Sequence, residues 1–173
     1  MSASKWGAVY WAFFHIISLN YPDNPTDKDM DYAKDLIKAI YYALPCEVCS
    51  GHYLSNIKAN PLKPEDISSK TNFATWFINL HNTVNTLLNK PNLTYDEALV
   101  KINLVKNTYR YQEIFLRVLG YINVDKLNDK EKRNILRFIK CGMYFGGLEI
   151  KKGITLDFSS ESSYKSLVKK LIA

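Results

Sequence analysis

The stretch TDKDMDYAKDLIKAIYYALPCEVC, residues 26–49, decides the fold class and carries the most reactive chemistry of the chain. Thr26 reads as a helix N-cap, because its hydroxyl can accept a first-turn amide hydrogen. Asp27 and Asp29 then put negative charge where the helix dipole favours it. Ala33, Leu36, Ile37, Ile40, Tyr41 and Leu44 recur at helical spacing and give one apolar face. Pro45 cannot continue that helix but suits the start of another, so a third helix is expected over residues 46–59, opening on the Cys46-Glu47-Val48-Cys49 motif.

Outward from this stretch the chain reads as helices throughout. A first helix over residues 3–19 carries Trp11, Phe13, Phe14 and Ile17 with few charges, and Tyr21-Pro22 and Pro25 end it. Residues 72–88 form a fourth helix with Phe73, Trp76, Phe77, Leu80, Val84 and Leu87 inward. Thr94 with Glu97 makes a capping box for a fifth helix, expected to continue to Leu119. Asn128 with Glu131 caps a sixth over residues 129–144. Residues 151–158 suggest a turn with a short extended piece, and residues 162–172 a last helix with Tyr164, Leu167, Val168 and Leu171 on one face. No alternating pattern is strong enough to build a sheet, so the fold class is all-α.

The 173 residues suffice to bury a core, and 47% hydrophobic with 23% charged is ordinary globular composition. No apolar run is long enough to span a membrane, and the apolar N-terminus lacks the basic start of a secretory signal. The net charge of +6 comes from lysines, 19 against 4 arginines, scattered rather than clustered, so no nucleic-acid footprint is visible.

Three cysteines are too few for a disulfide framework, and two of them form one CxxC. At a helix start the amides and dipole stabilise a thiolate, which makes the pair a redox candidate. Thioredoxin-like chemistry would need a preceding strand, and haem attachment would need His where Ser50 stands. Cys46, Cys49 and His52 also have zinc-ligand character, with a fourth ligand to come from His15, His81 or Cys141. A helical scaffold with a structural or zinc-bound CxxC is therefore the competing reading. Trp11 and His15, and His81 and Asn85, are each i and i+4 pairs, so two helices present aromatic-plus-polar faces that could hold a flat ring or equally be core.

Taken together these segments resemble the Erv/ALR family of FAD-linked sulfhydryl oxidases. Trp11-Ala12-Phe13-Phe14-His15 is similar to that family's W-x-x-x-H, and Tyr21-Pro22 and Pro25-Thr26 follow as in the family. Pro45-Cys46-Glu47-Val48-Cys49 is similar to its active-site CxxC, His81-Asn82-Thr83-Val84-Asn85 to its H-N-x-V-N, and Lys90-Pro91 to the Lys-Pro after it. The resemblance covers about residues 5–95. It implies a four-helix bundle with a short fifth helix over residues 1–98, followed by a helical C-terminal extension over residues 99–173. It implies FAD as cofactor, Cys46 and Cys49 as the catalytic pair with Cys49 nearer the flavin, and a lining of Gly7, Trp11, His15, Tyr21, His81, Asn82, Val84, Asn85 and Leu88. Lys90 would approach the pyrophosphate. Electrons would pass from a protein dithiol substrate, or a thioredoxin-like carrier, to FAD and then to dioxygen, giving hydrogen peroxide.

The chain departs from the family at Ala8 and Ile78, where an arginine and a cysteine are often found, and it lacks a second, shuttle CxxC. Cys141 is expected to be a core residue of the sixth helix, with an intermolecular bridge as the alternative. The resemblance further implies a homodimer through the first two helices, with Trp6, Tyr10, Phe13 and Phe14 on the first. The Lys, Asn and Ile bias and the missing shuttle pair point to a large DNA virus, with the protein in host cytoplasm or virion. A cellular member would sit in the mitochondrial intermembrane space. In neither case is it secreted.

Overall fold

The computed structural model describes residues 3–149 together with 160, 163, 164, 166, 168 and 170. Seven α-helices span the described chain: α1 (Ala3–Asn20), α2 (Asp27–Ala43), α3 (Glu47–Ala59), α4 (Lys70–Leu87), α5 (Tyr95–Thr108), α6 (Tyr111–Tyr121) and α7 (Asp129–Phe145), with a 3-10 turn at Pro64–Ile67. No strand occurs among the described residues, as the all-α reading requires. Residues 163, 164, 166, 168 and 170 are helical, with Tyr164 and Val168 buried. The expected turn over residues 151–158, and Leu167 and Leu171, lie outside the described residues.

The helices start where the sequence offers caps. Thr26, Thr94 and Asn128 each accept an amide hydrogen from the residue three positions on, whose carboxylate in turn accepts from the cap's own N–H. Ser69 caps α4, so that helix begins at Lys70, two residues before the expected start.

α1 is the centre of the molecule and packs against α4, α5, α6 and α7. Tyr10, Phe13, Phe14, Ile16 and Ile17 are all buried, which takes in more than one side of the helix. Phe14 stacks on Phe77 of α4 at 5.7 Å, and Phe13 stacks on Phe115 of α6 at 5.4 Å with rings 5° from parallel. The Tyr10 hydroxyl lies 2.6 Å from the Ala43 carbonyl and 3.3 Å from that of Val118, either of which can accept its proton. α7 lies along α2, where Tyr32 stacks on Tyr144 at 4.1 Å and the Tyr144 hydroxyl donates to Asp29.

The expectation that the fifth helix runs to Leu119 is corrected. The chain breaks at Tyr109 and Arg110, both extended (φ −128°, ψ 140° and φ −70°, ψ 142°), and α6 begins afresh at Tyr111. No proline or glycine causes the break. The buried stripe of α5, Ala98 and Ile102 with Val105 packed beside them, would continue through 109, 112 and 116. The residues that fill the core are instead Tyr111, Ile114, Phe115 and Val118. A slip of two residues is about 200° around a helix, so one straight helix could bury only one of these stripes.

Candidate active site

Pro45 separates α2 from α3, and the backbone turns extended at Leu44 (ψ 133°) and Cys46 (φ −139°, ψ 116°) before α3 starts. Cys46 is thereby the N-cap residue. Its sulfur accepts the Cys49 amide hydrogen at 3.3 Å, and its carbonyl accepts from the Ser50 amide at 2.9 Å and the Ser50 hydroxyl at 3.2 Å. Cys46 and Cys49 are joined as a disulfide, with Cα atoms 5.2 Å apart. Both cysteines are half-buried and packed at the edge of the core, while Glu47 and Val48 between them face solvent. α3 packs against α2 and α4, and the Tyr53 hydroxyl, donating to the Ile37 carbonyl at 2.7 Å, pins it to α2.

A second cluster forms where α1 crosses α4. The His15 Nε2 and His81 Nδ1 are 2.8 Å apart, so one ring donates to the other. Trp11 lies face to face with His81 at 3.9 Å and 7°. Both histidines are neutral at pH 7. Burial lowers the His15 pKa to about 3, helped by His81, and burial with the charges of Lys90 and Lys101 lowers that of His81 to about 4. The other His15 nitrogen, Nδ1, is buried without a hydrogen-bond partner.

The end of α4 is held by its asparagines. Asn82 donates to the Leu93 carbonyl at 2.8 Å and accepts from the Leu93 amide at 3.0 Å, which fastens the turn between α4 and α5. The Asn85 side chain is buried, and the residue's backbone carbonyl accepts from the amides of Leu88 and Lys90. Asn89 has φ +53°, a left-handed conformation that asparagine tolerates, and Lys90 follows it, exposed.

The structure thus brings Trp11, His15 and His81 together, and ties Asn82, Asn85 and Lys90 to one turn beside them. Val84 is half-buried on α4 and Leu88, its C-cap, is exposed. Gly7 is on α1, and an added Cβ would meet nothing within 4 Å. Tyr21 stands apart. It is wholly buried, its ring lies against Phe73 and Phe145, and its hydroxyl donates to the Ile67 carbonyl at 2.8 Å. His52 is exposed, and no group of three or more metal-ligating side chains occurs among the described residues. Cys141 is a core residue of α7. Its thiol donates to the Tyr32 carbonyl at 3.4 Å, and burial, with Asp35 nearby, pushes its pKa up to about 12. Ser50 and Lys101 were not marked by the sequence. A buried serine after a CxxC could have been noticed, whereas the effect of Lys101 on His81 depends on how α5 docks on α4.

Comparison with known proteins finds relatives that share one description. The profile described as the Erv1 / Alr family matches residues 8–110. A protein of Acanthamoeba polyphaga mimivirus named a probable FAD-linked sulfhydryl oxidase is 38% identical over 102 residues, covering 59% of this chain and 71% of that protein. A FAD-linked sulfhydryl oxidase of African swine fever virus (isolate Tick/Malawi/Lil 20-1/1983) is 30% identical over 120 residues, 69% of this chain and 91% of that one. The FAD-linked sulfhydryl oxidase ERV1 of Oryza sativa subsp. japonica is 34% identical over 85 residues, 49% of this chain and 42% of its own.

Proposed function

The chain belongs to the Erv1/Alr family, and from that premise we propose that it is a FAD-dependent sulfhydryl oxidase that makes disulfides in protein dithiols through Cys46 and Cys49. The observation that carries the reading is the Cys46–Cys49 disulfide at the start of α3, with the Cys46 sulfur in the N-cap position.

The residues present fit FAD. Trp11 and His81 offer aromatic faces, and the neutral His15–His81 pair offers ring nitrogens, one still unpartnered. Asn82 and Asn85 fix the turn that carries Lys90, and the positive charges of Lys90 and Lys101, both felt at His81, suit an anionic pyrophosphate. Gly7, Trp11, His15, His81, Val84, Asn85, Leu88 and Lys90 would hold the cofactor, and Tyr21 would support it from the core. When bound, FAD supplies a two-electron acceptor for the cysteine pair, with dioxygen as the final acceptor and hydrogen peroxide as product.

The protein's own part is thiol–disulfide exchange. A substrate thiolate attacks the Cys46 sulfur, the Cys46–Cys49 bond breaks, and its electron pair leaves on Cys49. A second substrate thiolate then attacks the substrate sulfur of the mixed disulfide, and Cys46 departs as a thiolate. The Cys49 amide hydrogen already points at that sulfur, so the α3 N-terminus stabilises the leaving charge. The substrate leaves oxidised, and the cysteine pair is left reduced. Cys141, with its pKa raised to about 12, stays protonated and does not compete.

The substrate is a protein dithiol or a thioredoxin-like carrier, and with viral relatives the place of action is host cytoplasm or virion. No described helix is long and apolar enough to cross a membrane. The test is a visible spectrum of the purified protein, before and after anaerobic dithiothreitol, beside Cys49→Ser, with peroxide measured on readmitting air. A flavin band that bleaches in the wild type and far more slowly in the variant, followed by peroxide, is expected. A colourless protein overturns the proposal.

A further inference from the structure

Two residues of α3 that the mechanism leaves unused have no explanation in the fold. Val48 stands between the two reactive cysteines and is 67% exposed, whereas Leu44, Cys46 and Cys49 on either side pack on the core. Gly51 lies inside α3, where glycine is a poorer helix former than alanine. It has no left-handed φ to justify it, and an added Cβ would meet nothing within 4 Å. Neither packing nor backbone geometry therefore asks for a glycine. What the missing side chain does allow is close approach of another backbone. Val48 and Gly51 are i and i+3, on one solvent-facing side of the helix that begins at the disulfide.

We propose that Val48 and Gly51 form a strip on which an extended, cysteine-bearing segment of the substrate protein lies, its backbone over Gly51 and an apolar residue beside its cysteine against Val48. This rests on the thiol-exchange reading above. The chemistry of the disulfide fixes the occupant. Exchange requires an incoming sulfur at bonding distance from Cys46, and the chain that delivers it must cross the first turns of α3. Both cysteines are half-buried, which an extended segment can reach into and a flat folded surface cannot. The step balances without further reagents. A segment thiolate bonds to the Cys46 sulfur and Cys49 takes the electron pair. The segment's second thiolate then closes its own disulfide and releases Cys46, two protons having gone to solvent.

The test is the single-turnover rate at which the intact, cofactor-loaded protein loses its Cys46–Cys49 disulfide to three reductants. These are a dithiol peptide with Leu beside the attacking cysteine, the same peptide with Ser there, and dithiothreitol. Covering a valine side chain corresponds to about tenfold, so the Leu peptide is expected to react about five- to tenfold faster than the Ser peptide. Val48→Ser brings that ratio near one. Gly51→Ala raises Tm, as removing an unneeded helix glycine must, yet lowers the rate of both peptides relative to dithiothreitol. Equal peptide rates in the wild type, or ratios that neither substitution moves, overturn the proposal. A molecular mass that Val48→Ser halves also overturns it, since the strip would then be covered by a second copy. A disulfide that shows the expected peptide preference in a protein that never turns over with dioxygen leaves the strip standing and sinks only the oxidase reading.

Discussion

At Cys46 the local backbone and the chemistry coincide. The residue that ends the extended link after Pro45 is also the one whose sulfur faces the first amides of α3, so after reduction charge settles there in preference to Cys49. In reduced protein at pH 7, Cys46 is therefore expected to be alkylated about tenfold faster than Cys49. Cys141 should remain unlabelled until the fold is opened. Peptide mass spectrometry after a short pulse of iodoacetamide reads all three sites. His15 makes a second residue-scale prediction. Its folded pKa of about 3 lies below the ordinary 6.5, so the unfolded chain takes up a proton first. Its contribution to stability is thus complete above pH 6.5 and is lost as pH falls toward 3. Between pH 7 and pH 5 that loss is about 2 kcal/mol. For a chain of this size it corresponds to a fall in Tm of about 4–8 °C. His81, with its pKa of about 4, loses a similar amount over the same interval, so His15→Gln should remove about half of the dependence, and melting curves at the two pH values for both proteins check it.

At the scale of elements, what the sequence makes legible is what a few neighbouring residues decide alone. Thr26, Thr94 and Asn128 each form the reciprocal cap that their spacing to Asp29, Glu97 and Glu131 implies, and Pro45 divides two helices at the expected residue. The α5–α6 break is not local in this sense. It follows from which of two apolar stripes meets α1 and α7, and single-chain periodicity does not contain that choice. The meeting of His15 with His81 was legible as two polar faces but not as a contact. Sixty-six residues separate the rings, and the crossing of α1 and α4 sets their distance. Gly142 shows the same limit from the other side. Nothing in its neighbours along the chain marks it, yet it is where α7 closes on the aromatic stack. An added Cβ there would stand 2.5 Å from the Phe115 ring and 3.2 Å from that of Phe13. Phe115 cannot swing aside, because Phe13 and Tyr111 flank it, stacked at 5.4 and 5.8 Å. Gly142→Ala is expected to destabilise by about 1–3 kcal/mol through overpacking. Urea unfolding, with the midpoint shifted and the m-value unchanged, would establish it.

Over the whole molecule, the part of the chain beyond the resemblance is joined to the part within it through α1 and α2. The aromatic side chains that mark α1 as a dimer surface in the sequence are spent inside one chain. Tyr10 reaches the Ala43 and Val118 carbonyls, and Phe13 meets Phe115 and Phe138. α2 gives its flank to α7, where Ile135, Phe138, Ile139 and Phe145 are buried and Asp35 pairs with Arg137 at 3.2 Å. A second copy could use those faces only after α6 and α7 had left them. Exposing Phe115 and Phe138 alone would cost about 1.5–3 kcal/mol each. Sedimentation of the full chain at micromolar concentration is therefore expected to give a monomer of 20.0 kDa, with a Tm independent of concentration. Phe138→Ala, at the α7 contact with α1, should cost about 3–5 kcal/mol. It should do so in a single transition if the two parts unfold together, with cofactor release and loss of helix coinciding on heating. A mass of twice the monomer, with a Tm that rises with concentration, would move the contact to surfaces still open. The ridge of Val100 and Leu104 on α5, 71% and 68% exposed, is the first to alter, because Leu104→Lys would then restore the monomer without touching α1.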